Sequence, residues 1–370
     1  MLSSGTGLNQ RAGSLRVDRA IFELRRGRPV EVQDAHGVSV FASVERLDSN
    51  DLKDYADPDG EVRLVITSER ARTLGLSETD QPLVVARRDD ISLGGLLELA
   101  TGRAEAVGLA SEDLDLAEAD PRGVAALALA RCARLIPALV QRRPEGATDG
   151  LSRLSVSASD IEAYPHARSQ ELRRISRARV PLAAAEDCEL VVYRERFGDA
   201  EHLAILIGAP EPVEPVTVRL HSACLTGDLL ASLRCDCGDQ LRGAVERIAE
   251  SGGGLLLYLA QEGRGIGLAN KLRAYALQEQ GLNTLQADQH LGFRADERDY
   301  AMACAMLKDL GFNRIRLLTN NPDKIAALSA CDVEVVGRLP LSAPVNKHNA
   351  SYLRAKREHA GHLDTDAEDV

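Results

Sequence analysis

Tryptophan is absent from this chain, and phenylalanine and tyrosine together bring the aromatic share to only 3%. Recognition through aromatic cages is therefore not expected, and cores have to be built from Leu, Val, Ile and Ala. No apolar run approaches the roughly 20 residues that a membrane-spanning helix needs. Positive charge is also short: 45 Lys and Arg stand against 56 Asp and Glu, a net charge of −11. That balance argues against broad binding to DNA, RNA or anionic lipid. It leaves room for a small phosphorylated ligand, which needs only a few local cations and backbone N–H groups. The N-terminal stretch MLSSGTGLNQRAGS lacks the apolar core of a secretory signal, so residues 1–14 are expected to form a flexible tail. The seven cysteines are odd in number and show no disulfide-like framework. Cys132, Cys188, Cys304 and Cys331 stand alone and read as small, free, buried thiols. A reducing, cytoplasmic location follows from that reading.

At 370 residues, with 44% hydrophobic and 27% charged side chains, the composition is that of a globular protein with two domains. Val30–Val32 and Val62–Ile66 look like strands, Arg19–Arg26 has helical spacing, and the apolar run over Arg122–Val140 predicts a long helix. Residues 154–178 read as a strand, a helix and a basic connector. Strand and helix signals then alternate at Leu190–Tyr193, Leu203–Ile207, Leu255–Ala260, Leu268–Gln280, Glu297–Leu310, Arg314–Thr319 and Val333–Val336. The expected class is α/β with mixed sheets of α+β type. The division is a first domain at 15–175, a second at 176–363, and an acidic tail at 364–370.

Three cysteines cluster: Cys224, then the C-x-C pair Cys235 and Cys237. Thiolates suit Zn²⁺, and three protein ligands leave one tetrahedral position for water, which the metal makes acidic enough to act near neutral pH. Spacing alone also admits a redox pair. His221 is the nearest candidate for a fourth ligand, against a phosphate-facing role. Arg234 and Asp236 read as solvated loop charges. The helix predicted after Gly238 carries Gln240 in its first turn.

Two further segments suit phosphate. Gln261-Glu262-Gly263-Arg264-Gly265-Ile266-Gly267 leaves a strand and enters a helix, so backbone N–H groups can approach anionic oxygens beside Arg264. Its glycine spacing matches neither the dinucleotide fingerprint nor the Walker loop. Thr319-Asn320-Asn321-Pro322-Asp323-Lys324 runs from strand to helix with Pro322 at a first helical position. Between them, Ala295–Tyr300 is expected to open a helix, with Asp296 and Glu297 as acidic caps and Arg298 opposing the dipole.

Taken together, HSACLTGDLLASLRCDCG, YLAQEGRGIGLANKLRAYALQEQG, LGFRADERDY and RLLTNNPDK resemble the GTP cyclohydrolase II family over about 175–363. The resemblance implies that Cys224, Cys235 and Cys237 hold one Zn²⁺ per subunit. It implies that Arg219, Leu220, His221, Ser222, Ala223, Gln240, Glu262, Gly263, Arg264, Thr284, Thr319 and Lys324 hold GTP, with Mg²⁺ on the triphosphate. Asp296 matches the proton acceptor, Arg298 the nucleophile toward the α-phosphate, and Tyr275 a tyrosine near the reacting base. The implied reaction opens the guanine imidazole, releasing formate and pyrophosphate to leave 2,5-diamino-6-(5-phospho-ribosylamino)pyrimidin-4(3H)-one, the first step of riboflavin biosynthesis, in a homodimer. Ala223, Ala260 and Asp323 depart from the family's usual residues, and the last two remove positive charge. A zinc-stabilised nucleotide-binding protein without catalysis and a cyclohydrolase with another product are the competing readings.

Residues 17–175 resemble 3,4-dihydroxy-2-butanone 4-phosphate synthase faintly. The acidic run expected after the first strand is Asp34-Ala35-His36-Gly37-Val38, and the Gly-His-Thr-Glu stretch is missing. A degenerate domain without synthase activity is expected.

Overall fold

The computed structural model describes residues 4–56, 61–87, 92–103, 114–142, 153–212, 214–342 and 344–349. The acidic tail expected at 364–370 lies outside them. The chain packs as two compact units: 1–167 with 272–282 and 286–297, and 168–271 with 283–285 and 298–370. The division thus falls at 167/168 instead of 175, and two stretches of the second half pack with the first. Linear order hides this because the contacts that decide it are distant in sequence: the Arg273 guanidinium lies 3.0 Å from the Glu45 carboxylate, and Arg70 donates to the carbonyl of His290 at 2.9 Å.

In the first unit the order is α1 (Ser4–Arg25), β1 (Val30–Asp34), β2 (Gly37–Ser43), β3 (Val62–Ile66), α2 (Ser68–Thr73), β4 (Leu83–Arg87), α3 (Leu93–Thr101), β5 (Asp115–Glu118), α4 (Pro121–Cys132), β6 (Ala138–Arg142), β7 (Leu154–Ser157) and α5 (Ala158–Gln170). The sheet runs β5-β4-β3-β6-β2-β1-β7. Every neighbouring pair is antiparallel except the edge pair β1–β7. Val17, Ala20, Ile21 and Leu24 form one buried stripe of α1 at i, i+3, i+4, i+7 spacing. The helix begins at Ser4, where a flexible tail was expected. Packing against the rest of the unit begins at Gly13, which lies so close to Asp160 that a Cβ would stand 2.2 Å from Oδ1. The apolar run 122–140 is also two elements and not one helix. α4 stops at Cys132, Arg134 takes a left-handed φ of 58°, and Pro137 precedes strand β6.

The second unit contains β8 (Arg173–Arg179), β9 (Cys188–Arg194), β10 (Glu201–Ile207), β11 (Val216–Ser222), α6 (Cys237–Glu250), β12 (Gly254–Leu259), α7 (Leu268–Glu279), α8 (Thr284–His290), α9 (Ala301–Leu310), β13 (Arg314–Leu318), α10 (Pro322–Ser329) and β14 (Glu334–Leu339), with α7 and α8 shared between the units. Its sheet runs β14-β13-β11-β12-β10-β9-β8. β14, β13, β11 and β12 are parallel; β10, β9 and β8 continue antiparallel. Alternate side chains feed two cores. Val218, Leu220, Leu255 and Leu257 pack with Met302, Met306 and Leu307 of α9; Ile205 and Leu256 pack with Ala244, Val245 and Ile248 of α6. Each fully buried leucine contributes roughly 1.5–3 kcal/mol. The basic connector expected near 173–179 is instead the edge strand β8, exposed along its whole length, and its arginines are the kind of charge that keeps an open edge from pairing with other chains.

Cys304 and Cys331, read as free thiols, form a disulfide with a Cα–Cα distance of 6.0 Å. The 27-residue separation conceals their proximity, which arises because α9 and α10 pack side by side. Neither Cys132 nor Cys188 forms a disulfide, and Cys188 is buried.

Candidate metal centre and substrate site

Register places the carboxyl ends of β11 and β12 level, Ser222 pairing with Leu259, while the parallel neighbour β13 ends lower beside β11, its Leu317 pairing with Val218. The chain leaves β11 for β12 on one side, while β13 lies on the other. Such a reversal, beyond the carboxyl ends of the strands, is where open α/β sheets bind ligands. Three of the segments singled out above emerge there, at 223–237, 260–267 and 319–324.

Cys224, Cys235 and Cys237 converge at this edge, their sulfurs all within 4.8 Å of one another. The first two sulfurs are 3.7 Å apart. The turn that brings Cys224 back to the C-x-C pair needs a glycine at its centre, since a Cβ on Gly227 would lie 2.9 Å from Cys235 Sγ and 3.1 Å from Cys224 Sγ. Lys271 Nζ donates to Cys224 Sγ and to Thr226 Oγ1, each at 3.0 Å, and to Glu262 Oε1 at 2.8 Å. Glu262 Oε2 accepts the Leu225 N–H at 2.6 Å, which ties the glycine-rich turn to the cysteine loop. Hydrogen bonds from Cys235 and Cys237, with Lys271 beside them, pull the Cys224 thiol far below its ordinary value. The same contact with Cys224 pushes Cys235 up. Three soft donors sharing their protons at such distances suit a divalent ion of the zinc type.

His221 stands apart from that cluster. Its Nε2 faces both carboxylate oxygens of Asp228 at 3.1 Å, and its ring stacks on Tyr258 with centroids 5.5 Å apart. Asp228 Oδ2 also accepts the Cys224 N–H and the Tyr258 hydroxyl, each at 2.9 Å. Burial lowers the His221 pKa, and the hydrogen bond to Asp228 opposes it only in part. Histidine is therefore a neutral support here, orienting the loop that carries the first cysteine.

Buried cations gather beside the cysteine cluster. Arg219 donates to Leu318 O at 2.9 Å and to Gln240 Oε1 at 2.6 Å. Gln240 in turn donates to Asp236 at 2.5 Å. Burial lowers Arg219 to about 10, with Asp236 holding it up, so the guanidinium stays charged at neutral pH. Asp236 is 1% exposed, which corrects its reading as a solvated loop charge: the carboxylate is held inside as counter-charge to Arg219. Lys324, also buried, donates to Leu220 O at 2.8 Å. Several polar atoms at this edge are buried with no hydrogen-bond partner among the described residues: Arg219 Nε, His221 Nδ1, Ser222 Oγ, Gln261 Oε1 and Asp299 Oδ2. Unsatisfied groups gathered at one strand edge are what a polar ligand would complete.

The sequence profile of GTP cyclohydrolase II matches residues 173–340. A GTP cyclohydrolase-2 of Azospirillum brasilense is 44% identical over 94% of this chain and 93% of its own length. The chain belongs to the GTP cyclohydrolase II family. A GTP cyclohydrolase-2 of Xylella fastidiosa is 38% identical over 96% of the chain and 89% of its own length. A riboflavin biosynthesis protein RibBA of Bacillus cytotoxicus is 53% identical, but over 46% of this chain and 43% of that one. The solved two-domain 3,4-dihydroxy-2-butanone 4-phosphate synthase RibBX from A. baumannii covers 89% of the chain at 19% identity and a TM-score of 0.30, too low to equate the folds. The protein is thus an enzyme of the cyclohydrolase family, with mixed α/β architecture in both units.

Within this family member, Arg219, Leu220, His221, Ser222, Ala223, Gln240, Glu262, Gly263, Arg264, Thr319 and Lys324 all lie on or beside the carboxyl edge of one sheet. The glycine-rich turn is left-handed at Gly263, Arg264, Gly265 and Gly267, a conformation that glycine adopts freely and arginine does not. Thr319 Oγ1 accepts the Asn321 N–H at 3.0 Å and so shapes the third loop. Thr284 begins α8, also in the second unit. Tyr275 and Asp296, by contrast, fall in stretches that pack with the first unit, whereas Arg298 belongs to the second. The segment 296–300 does not open a helix: α9 begins at Ala301, whose N–H is accepted by Asp299 Oδ1 at 2.8 Å. Glu297 cannot act as a helix cap because its Oε1 accepts the Arg294 N–H at 2.9 Å.

Sequence reasoning passed over Lys271, Asp228 and Tyr258. Lys271 sits inside a motif already quoted, but 47 residues separate it from Cys224, and no local pattern links an amine on α7 to a thiolate after β11. Asp228, four residues after Cys224, was the more legible of these: that spacing suits a carboxylate returning to a backbone N–H.

Proposed function

We propose that this chain hydrolyses GTP to 2,5-diamino-6-(5-phospho-ribosylamino)pyrimidin-4(3H)-one with release of formate and pyrophosphate, the first step of riboflavin biosynthesis. The observation that carries the reading is the three-cysteine cluster, set beside Arg219 and the left-handed glycine turn at one edge of a parallel sheet. Cys224, Cys235 and Cys237 hold one Zn²⁺ per subunit, which supplies Lewis acidity and an activated water. Mg²⁺ accompanies the triphosphate.

The protein's own groups do the rest. Lys271 holds Cys224 as a thiolate and balances the charge of Glu262. Asp228 fixes the Cys224 backbone. Arg219, Gln240, Arg264, Thr284, Thr319 and Lys324 receive phosphate and sugar oxygens, and Ser222 Oγ and Gln261 Oε1 find partners in the ligand. Asp296 is the proton acceptor. Arg298 attacks the α-phosphate as the bond to pyrophosphate breaks, a water then cleaves the phosphorus–nitrogen bond to leave the product's 5-phosphate and restore Arg298, and Tyr275 lies near the base. Neutralising three phosphates explains why cations gather locally in an acidic protein.

The active form is a homodimer in the cytoplasm, a compartment that keeps the three metal-binding cysteines reduced. No helix among the described residues is long and apolar enough to cross a membrane. The first half is a degenerate relative of the butanone phosphate synthase: its Asp34–Val38 run is a tight hairpin in which Asp34 Oδ1 caps the His36 N–H at 2.8 Å.

Formate and pyrophosphate assays on GTP with zinc and Mg²⁺ present test the reading. Both products are expected. No formate from zinc-loaded protein would favour a nucleotide-binding role, and formate without pyrophosphate a different cyclohydrolase.

A further inference from the structure

The chain passes from the first packing unit to the second between Glu297 and Arg298, so the two residues proposed for catalysis, Asp296 and Arg298, stand on either side of that passage. The stretch leading to it is held by side chains from the first 167 residues. Arg70, 1% exposed, threads its guanidinium among four backbone carbonyls: Leu99 at 2.8 Å, His290 at 2.9 Å, Glu98 at 3.0 Å and Gly102 at 2.5 Å. Thr67 Oγ1 donates to Gly292 O at 2.9 Å. Gly292 has a φ of 82°, and a Cβ there would meet Thr67 Oγ1 at 3.0 Å and Pro137 Cγ at 3.1 Å. Arg131, at the end of α4, then reaches two carboxylates: Glu69 at 3.2 Å and Glu297 at 3.3 Å. All three side chains are at most 17% exposed.

Glu297 is the point where this network meets the catalytic segment. The oxygen paired with Arg131 is the one that accepts the Arg294 N–H, so it closes the short turn 294–297 in which Asp296 sits. No regular element spans 291–300 to fix that turn. An ion pair shielded from water is stronger than an exposed one, and losing one partner leaves the other buried and uncompensated.

We infer that Arg131 is a positioning residue for the cyclohydrolase reaction, acting through Glu297 to set the turn that presents Asp296. The inference rests on the assignment of Asp296 under the proposed function. Arg131 touches no reacting atom. Its loss is expected to slow the chemical step and to leave the zinc site, built entirely in the second unit, intact.

The test uses the full-length, zinc-loaded protein with Arg131→Met, Arg131→Lys and the charge exchange Arg131→Glu/Glu297→Arg. For Arg131→Met, kcat for formate release is expected to fall at least tenfold, with KM for GTP and zinc content within twofold of wild type. Arg131→Lys should recover part of the loss, which removal of a merely structural contact would not predict from volume alone, and the exchange should exceed Glu297→Arg alone. Amide hydrogen exchange gives a readout independent of GTP: the peptide covering 290–299 should exchange faster in Arg131→Met, while peptides covering 219–240 stay unchanged. A folded Arg131→Met protein with wild-type kcat and unchanged exchange at 290–299 would overturn the inference. Wild-type protein releasing no formate would count against the proposed reaction instead, and exchange at 290–299 would still decide whether Arg131 holds the turn.

Discussion

The two sheets have seven strands each and reach opposite outcomes. In the first, antiparallel neighbours alternate direction, and only β1 and β7 at the edge run together. Their connections leave at both ends, and no row of loops gathers. In the second, β14, β13, β11 and β12 run together, so three loops leave one edge side by side. The thiolates, the glycine turn, Arg219 and the unsatisfied polar atoms all lie there. Parallel strands collect chemistry because their carboxyl ends coincide, and the helices returning the chain cover both faces and leave that edge for a ligand. The first unit keeps a sheet of equal size yet contributes through side chains such as Arg70 and Arg131, which support another segment's backbone.

The most severe way to break the contrast is to remove a metal ligand. Cys235→Ser is expected to abolish formate release, with a loss of at least a thousandfold, and to strip most of the zinc, measured by elemental analysis alongside product assay. Full activity in a metal-free variant would sink the metal mechanism. A subtler insult leaves all three ligands in place. Gly227→Ala forces a methyl against two sulfurs, and zinc affinity should drop about 10–100-fold, the range typical of disturbed support around a metal site; chelator competition reads it, and an unchanged affinity would show that the turn yields without cost.

Acid compares the two units directly, since each holds a histidine that burial keeps neutral. Burial lowers His290 in the first unit, with Arg70 adding repulsion, and burial lowers His221 in the second. For a base whose folded pKa lies below its unfolded one, the unfolded chain takes up protons first. Stability is full above about pH 6.5 and is lost as pH falls through that value toward the folded pKa. Thermal unfolding between pH 7.5 and 5 should show this loss, and His290→Gln should reduce it; an acid limb identical in the variant would exclude His290 as a contributor.

The smallest effect expected is none at all. Supplied with ribulose 5-phosphate, the full chain should make no dihydroxybutanone phosphate, and clear turnover would erase the distinction drawn between a supporting first half and a catalytic second.

Much of the second unit was legible because its signals are local. Leu190–Tyr193, Leu203–Ile207 and Leu255–Ala260 are short apolar runs between turn residues, and each is a strand within one or two positions. Cys224, Cys235 and Cys237 are close enough in sequence for convergence to be foreseen, and they do converge. Failures came where a distant partner overrode a local preference. The acidic run at 296–297 has the composition of a helix start, yet Glu297 turns to the Arg294 N–H and Arg131. The run through Cys132 continues apolar to Val140, yet a left-handed Arg134 and Pro137 break it. Cys304 and Cys331 carried no sign of each other.

By itself, the sequence determined the class of fold, the three-cysteine cluster and the family, because each is encoded in residue types at short, ordered spacings. Only the tertiary structure decided that Lys271 faces a thiolate, that His221 serves Asp228, that Asp236 lies buried against Arg219, and that 286–297 packs with the first half of the chain. Those facts depend on which side chains meet across tens to hundreds of residues, and such meetings are settled by packing and by the need to pair every buried charge, neither of which leaves a periodic trace in the chain.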